Sequence, residues 1–150
     1  MTYRSKTLAA WLALLAGALG AHRFYLHGWR DALGWALWLP TLAGAVGVLR
    51  MRALGQDDQL AWLLIPLLGL TLSIGALTAI VHALTPDEKW DARRNAGQAV
   101  VRTGWGPVLA AITALFLGGI VLMGTITFGI QKFFEWQLAP PPATVRTTAG

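Results

Sequence analysis

Four long apolar runs alternate with short polar stretches along the chain and predict four helices that cross a membrane. A helix needs about 20 apolar residues to span a hydrocarbon core about 30 Å thick. The last three runs contain no Asp, Glu, Lys or Arg between residues 32–49, 60–84 and 107–130. The predicted spans cover residues 7–26, 31–49, 60–84 and 107–131.

The first run is shorter than the others, and two interpretations of it stay open. Its apolar part, 7–21, reaches the length of a span only when 22–26 continue the helix, with Arg23 directed towards the headgroups. Alternatively, Arg4 and Lys6 precede an apolar stretch that ends in small residues, which is the pattern of a cleaved signal peptide. An intact N-terminus on the purified protein would support the span.

Composition agrees with a lipid-facing surface. Hydrophobic residues make up 55% of the 150 residues, charged residues 13%, and the mean hydropathy is +0.54, whereas a soluble domain carries about a quarter charged residues. We therefore predict an all-α fold, a polytopic membrane helical bundle of four transmembrane helices with an N-terminal helical hairpin. One membrane domain covers residues 1–136, and the proline-rich segment 137–150 forms a disordered tail. The absence of cysteine excludes disulfides and thiolate metal sites.

The polar connector 85–106 is the longest polar stretch between spans. Thr85 and Pro86, followed by two acidic residues, have the form of a helix start, so we predict a short helix from Pro86 towards Arg102. This connector lies in the interface or is a solvated segment. The candidate contacts to lipid headgroups in it are Arg93, Arg94 and Arg102.

The net charge of +5 does not indicate nucleic-acid binding, because the basic residues stand singly or in pairs where apolar runs end. Such placement fits anionic headgroups and topology signals. With four spans, the 12 Lys and Arg residues divide six against six between the two sides. The positive-inside rule then gives no orientation.

The densest local pattern predicts a tight turn between the first two spans. Glycines end a closely packed helix, basic and aromatic residues follow, and a further glycine lets the chain reverse. In this hairpin, Arg23 can reach a phosphate or the carboxylate of Asp31. The residues of this turn motif are Gly17, Gly20, His22, Arg23, Phe24, Tyr25 and Gly28.

At these residues the chain resembles the two-transmembrane (TM-two) domain family, including its bacterial members, the NINE proteins. The resemblance covers about residues 3–49 and is carried by the basic start at 4–7, the glycines and the sequence His-Arg-Phe-Tyr-Leu at 22–26. His27 stands where the family usually has glycine. The resemblance implies a membrane location and a helical hairpin, and it supplies no catalytic residue.

Few residues have the spacing that catalysis or metal binding needs. His22 and His27 are five positions apart, which does not place both on one helical face, and no third ligand accompanies them. His82 has no acidic partner within its span. We therefore expect no catalytic residue, no metal and no cofactor.

The expected function is that of a non-enzymatic membrane interaction or accessory protein, which contacts membrane lipids, a partner membrane protein or a second copy of itself. The alternative is a small oligomeric transporter or channel, in which the hydroxyls of Thr71, Ser73 and Thr78 would line a polar path. We expect a multi-pass protein of the bacterial inner (cytoplasmic) membrane.

Overall fold

The computed structural model describes residues 3–138, and every regular element in that range is a helix. The predicted all-α fold is confirmed, while the predicted tail lies outside the described residues from 139 onward. A 3₁₀ turn, Gly17–Leu19, separates the first two α-helices. The α-helices are α1 (Lys6–Ala16), α2 (Ala21–His27), α3 (Ala32–Ala36), α4 (Trp38–Leu54), α5 (Gln59–Leu84), α6 (Asp87–Arg94) and α7 (Gly106–Leu138).

Three helices are long and apolar enough to cross a membrane. They are Ala32–Leu54, which comprises α3 and α4, then Gln59–Leu84 and Gly106–Leu138, with mean hydropathies of 1.6, 2.2 and 2.2. The predicted membrane helical bundle is confirmed. A shorter apolar helix, Lys6–Leu19, stands in the region of the first predicted span. The helices α4 and α7 continue past the predicted ends at 49 and 131.

The second predicted span is interrupted at Leu37, between α3 and α4. Pro40 follows three residues later and has no N–H to donate to the carbonyl of Ala36, with which its ring also clashes. The proline therefore accounts for the break.

The centre of the bundle is α5, against which α1, α4 and α7 all pack through small residues. A Cβ atom added to Gly47 of α4 would lie 2.7 Å from Cβ of Leu64 in α5. Ala76 of α5 shares a buried cluster with Ala13 of α1 and Ala114 of α7. Small residues let helix backbones approach closely in lipid, where no hydrophobic force drives helices together.

The N-terminal hairpin enters and leaves at the same end of the bundle. Helix α1 runs antiparallel to α5, from Lys6 beside α6 to Gly17, where an added Cβ would lie 2.7 Å from Cα of Gly75. Helix α2 then returns until Leu26 contacts Trp90 of α6. Residues 7–26, which the sequence analysis assigns to one span, therefore form two helices that turn back part-way along α5.

The reversal occurs at Gly20 and depends on its being glycine. Its φ of +70° is a left-handed conformation that other residues rarely adopt. A Cβ atom at Gly20 would also lie 2.5 Å from the carbonyl oxygen of Gly34 in α3. A side chain here would meet both backbone strain and a clash.

Polar side chains of α4 satisfy the backbone at the tip of the hairpin. The hydroxyl of Thr41 donates to the carbonyl of Ala18 at 2.7 Å, and the indole N–H of Trp38 donates to the carbonyl of Leu19 at 3.0 Å. Lipid offers no such partner, so irregular backbone at membrane depth has to be satisfied by protein.

The N-terminus is fastened to α6 and to the end of α5. The Lys6 ammonium pairs with Asp87 at 2.5 Å and donates to the carbonyl of Thr85 at 2.9 Å. The indole N–H of Trp90 donates to the carbonyl of Arg4 at 2.8 Å. We call this end of the bundle the α6 end, and the opposite end, which carries the α4–α5 loop, the far end.

The connector helix is shorter than predicted, because α6 ends at Arg94 instead of continuing towards Arg102. The carboxylate of Asp91 accepts from the side-chain amide of Asn95 at 2.6 Å and from the N–H of Val101 at 3.0 Å. These bonds hold the segment after α6 back against the helix.

The start of α6 also differs from the prediction. The hydroxyl of Thr85 donates to the carbonyl of Val81 at 2.6 Å, and Pro86 occupies the N-cap position without a side-chain cap. Asp87, in the first turn, accepts from the N–H of Thr103 at 2.9 Å and from its hydroxyl at 2.6 Å. These bonds hold the end of the connector, at Thr103, against the first turn of α6.

Single-cysteine labelling tests the course of the hairpin. The chain has no cysteine, so a thiol introduced by Ser5→Cys, Arg30→Cys, Ala96→Cys or Gln56→Cys is the only one present. We expect a membrane-impermeant maleimide to reach the first three from one side of the membrane and Gln56→Cys from the other. Labelling of Ser5→Cys from the same side as Gln56→Cys would instead indicate that the first helix crosses the membrane.

The contact of Asp87 gives the stability a defined pH dependence. Burial alone would raise the pKa of Asp87, but the hydrogen bonds from Lys6 and Thr103 prevail and lower it to about 2. Such a carboxyl stabilises the fold above its unfolded pKa of about 4 and loses that contribution as the pH falls towards 2.

We expect Asp87→Asn to lower Tm in detergent at neutral pH, and the difference from wild type to shrink between about pH 4 and pH 2. Thermal unfolding followed by circular dichroism measures both. A difference that stays constant over this interval would mean that the ionised carboxylate does not stabilise the fold.

Candidate functional site at the N-terminal hairpin

Arg23 closes the loop between α2 and α3. Its Nε donates to Oδ2 of Asp31 at 2.5 Å and its Nη2 donates to Oδ1 at 3.2 Å, a two-point contact. The hydrogen bond from Arg23 lowers the pKa of Asp31 against the opposing effect of burial. Of the two partners considered for Arg23, it is Asp31 that the side chain binds.

Gly28 and Trp35 complete the turn. Gly28 ends α2 with a φ of +86°, and its N–H donates to the carbonyl of Phe24 at 2.8 Å. The indole N–H of Trp35 reaches back to the carbonyl of Trp29 at 2.8 Å. We call Arg23, Gly28, Asp31 and Trp35 the turn clamp.

The same clamp recurs at the far end, 27 positions later in the sequence. Arg50 pairs with Asp58 through bonds of 2.8 and 3.0 Å, and Gly55 has a φ of +92°. The indole N–H of Trp62 donates to the carbonyl of Gln56 at 2.6 Å. Because one arrangement closes both loops, we interpret Arg23 as a structural residue of the turn. The equal spacings in the sequence are the signal for this repeat, which the turn motif alone does not reveal.

Phe24 and Tyr25 anchor the hairpin inside the bundle. The Phe24 ring covers Gly34, where an added Cβ would lie 2.6 Å from Cε1, and stacks on Trp29 with ring centroids 5.2 Å apart. The hydroxyl of Tyr25 accepts from the N–H of Ser5 at 2.8 Å. Glycine at position 34 thus makes room for an aromatic ring.

The hairpin, its clamp and the following helix coincide with a family match. The family model described as TM2 domain matches residues 2–51. We refer to the matched residues as the TM2 domain. The match confirms the domain family predicted from the turn motif and leaves α5, α6 and α7 outside the domain. No curated protein and no solved structure matches the chain.

A cavity of about 380 Å³ opens between the TM2 domain and the rest of the chain. Helices α2 and α3, with Leu37 after α3, form one side of it, α5 forms the other, and Arg94 of α6 lies at its rim. All three histidines of the chain, His22, His27 and His82, line this cavity. The tertiary structure brings them together although His22 and His82 are 60 positions apart.

Two of these imidazoles present nitrogen atoms that the protein does not satisfy. His22 is only 5% exposed, and its ring centroid lies 6.0 Å from that of His82. Nδ1 of His22 and Nε2 of His82 are buried and have no hydrogen-bond partner within residues 3–138. A buried polar atom without a partner costs about 1–3 kcal/mol, which a bound polar group can recover.

Only one of the three predicted headgroup contacts lines the cavity. Nη1 of Arg94 lies 3.1 Å from Nε2 of His27. Arg93 is exposed and borders a smaller neighbouring depression, together with His82 and Arg94. Arg102 borders a separate depression beside Asp87. Burial lowers the pKa of Arg94, and the positive charges of Arg4 and Arg93 lower it further.

The cavity has the chemistry of an anion site more than that of a metal site. Throughout residues 3–138, no group of three or more His, Cys, Asp or Glu side chains is arranged to hold a metal ion. Two guanidinium groups, those of Arg23 and Arg94, line the cavity, and only that of Arg23 is paired with a carboxylate, that of Asp31. The excess positive charge favours a ligand with negatively charged oxygen atoms.

The repeated clamp predicts equal effects for equivalent substitutions. We expect Asp31→Asn and Asp58→Asn to lower Tm in detergent by similar amounts, because each leaves an arginine without its carboxylate. Asp57→Asn is the control, since Asp57 is exposed and makes no ion pair within the described part of the chain. A loss of Tm in Asp58→Asn alone would contradict a structural role for the Arg23 pair.

Proposed function

We propose that this integral membrane protein is non-enzymatic and that its α6 end contacts anionic lipid headgroups in the cytoplasmic leaflet. The observation that carries the proposal is the distribution of charge between the two ends of the bundle. The membrane bundle and the TM2 domain are its framework.

The net charge of the described residues lies entirely at the α6 end. Eight Lys or Arg and four Asp or Glu stand there, a net +4, whereas the far end has three of each. The basic residues of the α6 end are Arg4, Lys6, Arg23, Arg30, Lys89, Arg93, Arg94 and Arg102, and those of the far end are Arg50, Arg52 and Lys132. Arg146 lies outside the described residues.

This distribution replaces the even division that four crossing helices would produce. Because the hairpin returns to the end at which it starts, Arg4 and Lys6 join the basic residues of α6. The positive-inside rule then favours a cytoplasmic α6 end. A bacterial inner membrane, with anionic lipids in that leaflet, is the setting that we propose.

Exposed side chains at the α6 end support contact with headgroups. Arg30, Lys89 and Arg93 are exposed. Trp29 and Trp105, which are 74% and 76% exposed, lie at the same end. Tryptophan is favoured at headgroup depth, where its ring meets both apolar and polar surroundings.

The hydroxyl groups give less support to the alternative function, that of a transporter or channel. The hydroxyl of Thr71 donates to the carbonyl of Leu68 at 2.9 Å, that of Ser73 to Gly69 at 2.8 Å, and that of Thr78 to Ile74 at 2.8 Å. Each hydroxyl hydrogen is therefore bonded to the backbone of its own helix and is not available to a permeating solute.

Reconstitution into nanodiscs tests the lipid contact. We expect Tm to be higher in phosphatidylglycerol than in phosphatidylcholine, and the gain to fall at high salt, because exposed charges are screened. The double variant Arg30→Gln, Arg102→Gln should lose a large part of the gain, since each basic residue near an anionic surface contributes about 1 kcal/mol.

The matched control is Arg52→Gln, an exposed arginine at the far end. This variant should keep most of the gain in Tm. Equal Tm values of the wild type in the two lipids, or equal losses in the two variants, would count against the proposal.

A further inference from the structure

We propose that the cavity between the TM2 domain and α5 binds the phosphate headgroup of an anionic lipid, with an acyl chain along its apolar part. This inference rests on the proposed function and assigns it one site. The cavity joins two surfaces of different chemistry, a polar rim and an apolar wall, and an amphiphile needs both.

Two imidazoles at the cavity have nitrogen atoms without a hydrogen-bond partner among the described residues. His22 is 95% buried, and its Nδ1 faces no protein partner among the described residues; the same holds for Nε2 of His82. Both residues line the cavity, with ring centroids 6.0 Å apart. Phosphate oxygens accept several hydrogen bonds and can satisfy imidazole N–H groups on either side.

The charge at the rim of the cavity also favours a phosphate group. Arg23 is held by Asp31, but the guanidinium of Arg94 has no carboxylate within 4.0 Å anywhere in residues 3–138. It hydrogen-bonds His27, and a guanidinium carries five N–H groups, so it can also donate to an anion. Guanidinium matches phosphate geometry and is weakly hydrated, so it suits a half-buried site.

The apolar part of the cavity favours a lipid over a free phosphate ester. Leu33, Leu37 and Ile74 form the apolar part of the cavity, and Leu33 and Ile74 are 61% and 51% exposed. Ile74 stands ten residues before the end of α5 at Leu84, about 15 Å deeper along the helix. An apolar surface that runs from the rim to this depth fits an acyl chain, and a water-soluble ester would leave it uncovered.

The test measures binding of dioctanoyl phosphatidic acid to the delipidated full chain in detergent by native mass spectrometry. We expect tighter binding than for dioctanoyl phosphatidylcholine, and glycerol 3-phosphate should not compete at similar concentrations. Arg94→Gln should weaken binding by about tenfold or more, as for loss of a charged hydrogen bond. Arg52→Gln is the matched control, because it removes the same charge at the far end, away from the cavity.

A second pair of variants tests the apolar part. Ile74→Trp fills the cavity and should weaken binding of the lipid, whereas Leu77→Trp, on the same helix but lining the groove against α7, should not. Equal losses in Arg94→Gln and Arg52→Gln would overturn the site and indicate general surface attraction. Competition by glycerol 3-phosphate at the concentration of the lipid would overturn the lipid and indicate a free phosphate ester.

The outcome is separable from that of the proposed function. If anionic nanodiscs raise Tm of the wild type and Arg94→Gln binds phosphatidic acid normally, the headgroup contact of the α6 end stands and the cavity site fails. If the wild type gains no Tm in anionic lipid and binds no phosphatidic acid, both fail.

Discussion

The close contact between Gly17 and Gly75 is the constraint on which the rest of the structure depends. A Cβ atom on Gly17 would lie 2.7 Å from Cα of Gly75, so the two backbones touch without side chains between them. This approach seats the tip of the hairpin against α5, and the left-handed Gly20 sends the chain back. Inside lipid, burial of apolar surface does not drive helices together. Helix association therefore depends on such close backbone contacts and on carbonyl groups that are satisfied by hydrogen bonds.

The return of the hairpin determines the charge and the chemistry of one end. It brings the N-terminal basic residues to α6, where Lys6 pairs with Asp87. It also brings His22 to His82, and His27 to Arg94, so that groups from three helices line one cavity. Had the first helix crossed the membrane, Arg4 and Lys6 would lie at the far end and the basic residues would be evenly divided.

Comparison of the two loops changes the interpretation of Arg23 in the turn motif. The sequence leaves two partners open for Arg23, a phosphate or the carboxylate of Asp31. Its contact with Asp31 is matched at the far end by Arg50 and Asp58, with the same spacing and a glycine of positive φ in each loop. In the site that we propose, ligand recognition therefore falls to Arg94, which pairs with no carboxylate among the described residues, and to the buried nitrogens of His22 and His82.

By itself, the sequence determined that the chain is an all-α membrane bundle with a TM2 domain, because long charge-free apolar runs and a local turn motif are one-dimensional signals. It also located α5 and the N-terminal hairpin. Only the tertiary structure decided that residues 7–26 turn back, since that depends on Gly20 meeting Gly34 and Gly17 meeting Gly75. The sequence pattern also could not predict the contact between His22 and His82. Helix packing brings these two residues together, and their spacing in the sequence gives no sign of it.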